Sequence, residues 1–164
     1  MASKAKIKGH PIHPMLVTLP IGMWVFGFVS DIVFRLGGGL VWRETAVRAI
    51  GIGVIAALLA AIPGAVDLLS WSRSRVKSIG IAHGVLNVLA VAVFAVSYFL
   101  RAKAFPSLGA AFIFAAIGIA LIAVSGWLGG AMVYVYRAAI GPHAAPGPGM
   151  EAKREKEMVS AGKE

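Results

Sequence analysis

The chain alternates between long apolar runs and short polar connections. Four apolar runs cover residues 15–34, 46–69, 79–100 and 108–136. Each is roughly 20 residues or longer, which is enough to cross a hydrocarbon core of about 30 Å as a helix. Because lipid offers no hydrogen-bond partners, a spanning segment must satisfy its own backbone groups. The pattern therefore predicts four transmembrane helices.

The connections between the runs are short, at residues 37–39, 70–78 and 101–106. Short connections place successive helices side by side and antiparallel. The predicted fold class is all-α, an integral membrane antiparallel four-helix bundle formed by residues 1–140. Residues 141–164, rich in proline, glycine and mixed charge, are predicted to be a disordered charged tail. The sequence shows no convincing internal repeat.

Composition supports the membrane class. Hydrophobic residues make up 59% of the chain, above the share of about half in soluble domains. The net charge of +9 raises the question of nucleic acid, but the basic residues lie in connections and tails, as the positive-inside rule describes. No nucleic-acid partner is expected. The chain has no cysteine, which excludes disulfides, iron–sulfur clusters and covalently attached haem.

Lysine and arginine predict the orientation, because the richer face of a bundle is cytoplasmic. One face holds Lys4, Lys6, Lys8, Arg73, Arg75, Lys77, Arg137, Lys153, Arg154, Lys156 and Lys163. The other face holds Arg35, Arg43, Arg48, Arg101 and Lys103. Both termini are therefore predicted to be cytoplasmic.

Every predicted helix delivers a polar group to this cytoplasmic end. The groups are His10 and His13 before the first helix, Asp67 near the end of the second, His83 and Asn87 at the start of the third, and Tyr136 and Arg137 at the end of the fourth. Ionisable residues in membrane segments are costly, and each is a functional hypothesis by default. The sequence therefore predicts a single polar site beneath one membrane surface.

The histidines are candidate ligands, since imidazole binds metals and haem iron and titrates near neutrality. His10 and His13 both precede proline, which favours an extended backbone. Residues three apart in a polyproline helix lie roughly 9 Å apart along the chain, so we expect only one of them to bind a given ion. His13 is predicted to cap the first helix with Pro14 at the first helical position. The positive end of the helix dipole there favours neutral imidazole.

Asp67 is predicted to need a partner, because the dipole disfavours a carboxylate near a helix C-terminus. Arg137, another arginine, a metal ion or a histidine N–H would serve, and a carboxylate commonly orients a metal-bound imidazole. A purely structural pairing is the alternative. For Asp31 and Arg35, four residues apart, we expect only a local ion pair. Gly126 and Gly130 are predicted to allow tight helix packing.

Four motifs together resemble a known family. They are Gly-His-Pro-Ile-His-Pro-Met-Leu-Val-Thr-Leu-Pro-Ile-Gly at 9–22, Ile-Pro-Gly-Ala-Val-Asp at 62–67, His-Gly-Val-Leu-Asn at 83–87 and Ser-Gly-Trp-Leu-Gly-Gly at 125–130. In this order they are similar to small four-span prokaryotic membrane proteins called domain of unknown function 2231. The resemblance implies a four-helix fold in a prokaryotic inner membrane. Some members are fused to Rieske-type domains, which implies redox surroundings.

Members of that family often carry a histidine just after a Val-Tyr that follows the glycine pair. Here Val133-Tyr134 is followed by Val135, Tyr136 and Arg137, so the histidine is absent. Tyrosinate is a known haem ligand, which makes Tyr136 a candidate substitute.

Three functional hypotheses follow, of which a proton or ion pathway is disfavoured because the polar groups cluster at one end of the bundle and do not run through the membrane. In the first, the protein is a redox-associated module that binds one b-type haem or a divalent metal ion at the cytoplasmic end. His13 or His10 with His83 would be the ligands, Asp67 would orient or ligate, and Asn87, Tyr136 and Arg137 would contact the cofactor. In the second, the protein is a non-catalytic subunit of a respiratory or redox complex, with a Rieske-type protein or a second copy of itself as partner. The cluster would then be structural.

Overall fold

The computed structural model describes residues 3–72, 74–102 and 107–138, and most of these are helical. The elements are β1 (Lys6–Ile7), β2 (His10–Pro11), α1 (Ile12–Leu16), α2 (Thr18–Arg35), α3 (Leu40–Ser70), α4 (Arg75–Ala102), α5 (Leu108–Gly130) and a π-helical turn (Ala131–Val135). The charged tail predicted for 141–164, and Arg73, lie outside the described residues.

Four helical segments are long and apolar enough to cross a membrane. Span 1 (Ile12–Arg35) comprises α1 and α2, span 2 (Leu40–Ser70) is α3, span 3 (Arg75–Ala102) is α4, and span 4 (Leu108–Val135) is α5 with the π-helical turn. The prediction of four spans is confirmed. Span 2 begins six positions earlier than its apolar run, because the charged residues that precede the run are good helix formers.

The spans form an up-and-down bundle in which each packs against its neighbours in sequence and span 4 closes back on span 1. Spans 1 and 3 therefore lie on a diagonal and meet in the centre. There Trp24 and Phe94 stack with ring centroids 4.3 Å apart. Gly53 and Gly118 make this possible, since a Cβ on either would lie 2.5 Å or 2.6 Å from the neighbouring ring.

The outside of the bundle is apolar. Large side chains that face outward include Leu59, Ile62, Val88, Phe99 and Ile113, all more than half exposed. Water would penalise such a surface heavily, whereas acyl chains solvate it. The burial pattern thus agrees with a protein whose outer face contacts lipid.

A small β-hairpin precedes span 1, which the sequence did not predict. β1 pairs with β2 antiparallel, and the intervening Lys8 and Gly9 have φ of 48° and 85°. Two positive φ angles are the signature of a type I′ turn, and glycine accepts this conformation readily. The hairpin leads directly into α1, whose N-cap is Pro11. The prediction that His13 caps the helix is therefore wrong, and His13 lies within the first turn.

Candidate functional site

The structure brings His13 of span 1 and His83 of span 3 together at one end of the bundle. Their ring centroids are 6.3 Å apart and the rings are nearly perpendicular, at 88°. Both side chains are half-buried. We call these two residues the histidine pair, and the end of the bundle that carries them the histidine end.

His13 is fixed by a bond to the backbone of span 2. Its Nδ1 lies 2.8 Å from the carbonyl oxygen of Ala60. A carbonyl only accepts, so the proton is on Nδ1 and Nε2 of the neutral ring carries the lone pair. Gly64, one helical turn after Ala60, makes room for the ring, because a Cβ there would lie 2.7 Å from Nδ1.

His83 is held by a parallel arrangement on span 4. Its Nδ1 donates to the carbonyl oxygen of Ser125 at 2.8 Å and lies 2.9 Å from the Ser125 hydroxyl. That hydroxyl donates to the carbonyl oxygen of His83. Gly129, one turn after Ser125, again makes room for the ring, because a Cβ there would lie 3.1 Å from Cε1 of His83.

Asn87 occupies the second nitrogen of His83. Its amide nitrogen donates to Nε2 of His83 at 2.9 Å and to the His83 carbonyl oxygen at 3.0 Å. One tautomer, with the proton on Nδ1, satisfies every contact of this ring. The structure therefore joins Asn87, one helical turn after His83, to the histidine pair.

Asp67 has different partners from those predicted. Its carboxylate accepts from the Ser3 hydroxyl at 2.8 Å and 3.0 Å, from Lys4 N–H at 2.8 Å and from Ala5 N–H at 2.9 Å. The expected pairing with a histidine or Arg137 is thus wrong. The N-terminal segment reaches the carboxylate instead, and its donors offset the cost of a buried charge.

The remaining candidates, His10, Tyr136 and Arg137, make no hydrogen bond to the pair within the described part of the chain. His10 is exposed and donates through Nδ1 to the carbonyl oxygen of Lys8 at 3.2 Å. Tyr136 is half-buried and Arg137 is exposed; within the described part of the chain, neither hydrogen bonds to the histidine pair. The contacts that the structure shows at the pair therefore join His13, His83 and Asn87, and the roles predicted for His10, Tyr136 and Arg137 stay predictions.

The donor set at the histidine end consists of two imidazoles. In residues 3–72, 74–102 and 107–138, no three histidine or acidic side chains come together as metal ligands. Asp67 therefore does not complete the predicted metal site with His13 and His83.

A second buried polar cluster lies at the opposite end of the bundle. Arg101 of span 3 donates to the carboxylate of Asp31 on span 1, and both residues are 2% exposed. Arg101 also donates to the Ser97 hydroxyl and to the Ala111 carbonyl oxygen at 3.0 Å. The predicted local pair exists, but Arg35 lies 4.0 Å from Asp31.

The sequence interpretation missed this cluster because it placed Arg101 in a connection. The available signal was that α4 could continue past its last apolar residue and bury a guanidinium against an acid of similar depth on span 1. The expected packing role of Gly126 and Gly130 is also wrong, since a Cβ at either would meet nothing within 4 Å. Gly118 and Gly129 make the close contacts of this span instead.

Four membrane-length helices with a histidine pair at one end define a small α-helical integral membrane protein. The family model DUF2231, described as a predicted membrane protein, matches residues 9–142. The chain belongs to this family, as its motifs indicated. No curated protein and no solved structure matches the chain.

Proposed function

We propose that this protein is a redox-associated membrane module that binds one metal centre, the iron of a b-type haem or a divalent ion, through the histidine pair. The observation that carries the proposal is the pair itself. Two imidazoles from different spans approach to 6.3 Å, and each is fixed by an Nδ1 bond to a backbone carbonyl.

A histidine that binds a metal through one ring nitrogen usually donates a hydrogen bond from the other, as Nδ1 of both His13 and His83 does here. An Nδ1–H to carbonyl bond fixes the tautomer and ring orientation and raises the basicity of Nε2. Imidazole nitrogens bind metals at about 2.0–2.1 Å, so two rings must lie close together to share one ion. Both rings carry the Nδ1 bond and their centroids lie 6.3 Å apart, which supports the proposal, although Nε2 of His83 must first release the Asn87 amide.

The donor set favours haem iron over zinc. Zinc sites in proteins take three or four protein ligands, and the pair offers two. Haem iron would need fewer ligands from the protein, because the porphyrin supplies four nitrogens, and His13 and His83 would hold it. When bound, such a centre would supply one-electron chemistry.

We further propose that the histidine end faces the cytoplasm of a prokaryotic cell. Lys4, Lys6, Lys8, Arg75, Lys77 and Arg137 surround it in sequence, and cytoplasmic loops carry such an excess. The tail basic residues add to the same side.

The test is purification from native-like membranes in mild detergent without chelator. Absorption spectra and elemental analysis are recorded on the wild type and on His13→Gln and His83→Gln. We expect a Soret band or about one equivalent of metal per chain, with substantial loss in both variants. His10→Gln is the matched control, because His10 is exposed and bonds to the Lys8 carbonyl oxygen instead of to the pair, and it should retain the wild-type content.

Wild-type protein without a Soret band and without stoichiometric metal would exclude this function. Retention of full content by both His13→Gln and His83→Gln would place any bound centre elsewhere in the chain.

A second candidate function is a non-catalytic subunit of a larger respiratory or redox complex. It is favoured by His83, whose two ring nitrogens are both satisfied inside the chain by Ser125 and Asn87. In this role the imidazoles stabilise the bundle as interhelical hydrogen bonds do. It predicts that His83→Gln lowers the melting temperature without loss of any cofactor, and that a Rieske-type or other redox partner co-purifies.

A further inference from the structure

Three contacts link the diagonal spans 1 and 3, and in each of them the two residues are 70 positions apart in the sequence. They are the histidine pair, the stacked Trp24 and Phe94, and the ion pair of Asp31 with Arg101, which are 70 residues apart. In a two-fold arrangement, a residue on the axis meets its own equivalent. Three such contacts in register along the bundle mark an axis between the spans.

Most of the buried positions follow the same rule. Four of the five in span 1 recur in span 3, as the pairs Pro20 and Ala90, Trp24 and Phe94, Gly27 and Ser97, and Asp31 and Arg101, whereas Ser30 and Gly80 have no buried equivalent. Five of the eight in span 2 recur in span 4, again at one constant spacing, as Ala46 and Ala111, Ile50 and Ala115, Gly53 and Gly118, Ala60 and Ser125, and Asp67 and Met132, whereas Ala49, Ala56 and Pro63 do not.

Contacts within each hairpin recur as well. The Trp24 ring lies on Gly53 and the Phe94 ring lies on Gly118. His13 contacts the Ala60 carbonyl oxygen and Gly64 on span 2. His83 contacts the Ser125 carbonyl oxygen and Gly129 at the equivalent positions of span 4. The sequence shows no convincing internal repeat, whereas the structure does repeat the same contacts in its two hairpins.

We infer that the chain is two equivalent two-helix units related by a two-fold axis along the bundle, and that one position that differs between them, Val17 against Asn87, makes the two imidazoles unequal as ligands of a metal centre. Both rings would ligate the centre, His13 without loss of a hydrogen bond and His83 only after the Asn87 amide has left its Nε2. The part that concerns metal rests on the proposed function, whereas the equivalence of the units does not.

Val17 and Asn87 have the same place relative to their histidines. Val17 N–H donates to the His13 carbonyl oxygen at 3.1 Å, so Val17 lies one helical turn after His13, as Asn87 lies after His83. Valine has no side-chain donor, and Nε2 of His13 has no hydrogen-bond partner among the described residues. At His83 the Asn87 amide takes this place.

An incoming centre therefore meets two unequal nitrogens. Ligation by His13 breaks no protein hydrogen bond, whereas ligation by His83 must first displace the Asn87 amide. The net contribution of one such hydrogen bond corresponds to roughly a two- to tenfold change in an equilibrium constant. Moving the amide from one unit to the other should move this penalty with it.

The first experiment tests the equivalence of the units without any metal. Full-length protein labelled with ¹⁵N-histidine is studied by NMR as the wild type, Val17→Asn, Asn87→Val and the double variant Val17→Asn/Asn87→Val. In the wild type only the His83 Nε2 should show the signature of an accepted hydrogen bond. In the double variant we expect the signature on His13 instead.

The second experiment tests the inequality of the two imidazoles as ligands. The same four proteins are titrated with haemin and, separately, with Zn²⁺. Whichever probe binds, we expect Asn87→Val to bind about two- to tenfold more tightly than the wild type, Val17→Asn to bind about as much more weakly, and the double variant to match the wild type. Thr18→Asn is the control, because it adds an amide at the neighbouring, exposed position and should leave binding unchanged.

A ranking of the two ligands completes the test. His13→Gln should weaken binding more than His83→Gln, and the order should reverse in the background of Val17→Asn/Asn87→Val, with thermal melts confirming that each variant is folded. An NMR signature that stays on His83 in a folded double variant lacking Asn87, or fails to appear on His13, overturns the equivalence. Equal binding of haemin or Zn²⁺ by the wild type, Val17→Asn and Asn87→Val would overturn the role of Asn87. If the NMR exchange occurs and neither probe binds, the equivalence stands and the metal assignment falls with the proposed function.

Discussion

At the scale of single residues, glycine does as much as histidine to build the site. An imidazole can reach a backbone carbonyl on a neighbouring helix only if that helix has no side chain in the way. Gly64 and Gly129 provide this clearance one turn after the carbonyls of Ala60 and Ser125. The histidine end is therefore defined by hydrogen-bonding rings and by the absence of methyl groups beneath them.

This role predicts the effect of adding one methyl group. In Gly64→Ala the new Cβ would lie 2.7 Å from His13 Nδ1, and in Gly129→Ala it would lie 3.1 Å from His83 Cε1. Overpacking of this kind costs about 1–3 kcal/mol. We expect Gly64→Ala to melt at lower temperature in detergent. Gly129→Ala should fall between Gly64→Ala and Gly126→Ala, because its contact is less close and the helix propensity of alanine offsets part of the cost.

Gly126→Ala is the matched control on the same helix as Gly129. Its Cβ would meet nothing within 4 Å, and alanine is the better helix former by about 1 kcal/mol. Its melting temperature should be unchanged or slightly raised. Equal losses in Gly126→Ala and Gly129→Ala would show that clearance for the ring is not what these glycines provide.

At the scale of elements, Asp67 connects the N-terminal segment to the end of α3. A carboxylate in the last turn of a helix opposes the dipole, and the Ser3 hydroxyl with two backbone N–H groups offsets this cost. Asp67 therefore fixes the N-terminal segment that leads through the hairpin to His13.

Neutralising this carboxylate should loosen the segment. Hydrogen bonds to a charged group contribute about 1.5–3 kcal/mol, so in Asp67→Asn we expect the amides of Lys4 and Ala5 to exchange hydrogen about tenfold faster or more. Hydrogen–deuterium exchange with mass spectrometry on N-terminal peptides measures this. Glu44→Gln, at an exposed acid of the same span, should leave the exchange rates unchanged, and unchanged rates in Asp67→Asn would contradict the role of Asp67.

The elements also show what sequence reasoning can reach. The four spans followed from the length of the apolar runs, because lipid admits few alternatives to helix. The convergence of His13 with His83 followed from counting spans. The two-residue strands had no pattern long enough to detect. Asp67 was misassigned because its partners, residues 3–5, lie in the segment just before those strands. Arg101 was placed outside its helix because hydropathy sets boundaries by polarity, whereas a paired arginine can lie inside.

At the scale of the whole molecule, the internal repeat could not be recognised from the sequence, because the residue types at equivalent positions differ. What recurs is small size at some positions and burial at others, not residue identity. Trp24 and Phe94 are equivalent in place but not in type, and Asp31 and Arg101 are opposite in charge. Only the three-dimensional register reveals that these positions correspond.

The ion pair across the axis gives the last prediction. Removing one member of a buried pair leaves an uncompensated charge and costs about 3–5 kcal/mol, whereas replacing both with apolar residues is often close to neutral. We expect Arg101→Met to fall at the lower end of that range, because Arg35 remains 4.0 Å from Asp31.

Asp31→Leu should fall at the upper end, because it leaves Arg101 and Arg35 together without an acid. The double variant Asp31→Leu/Arg101→Met should lose less free energy of unfolding than either single variant. Reversible SDS unfolding in mixed micelles measures these values. Arg48→Gln, which breaks an exposed pair with Glu44, should change stability by less than about 1 kcal/mol. If the free-energy loss of the double variant equals the sum of the two single losses, Asp31 and Arg101 do not stabilise each other. Packing alone would then hold spans 1 and 3 together at the end opposite the histidine end.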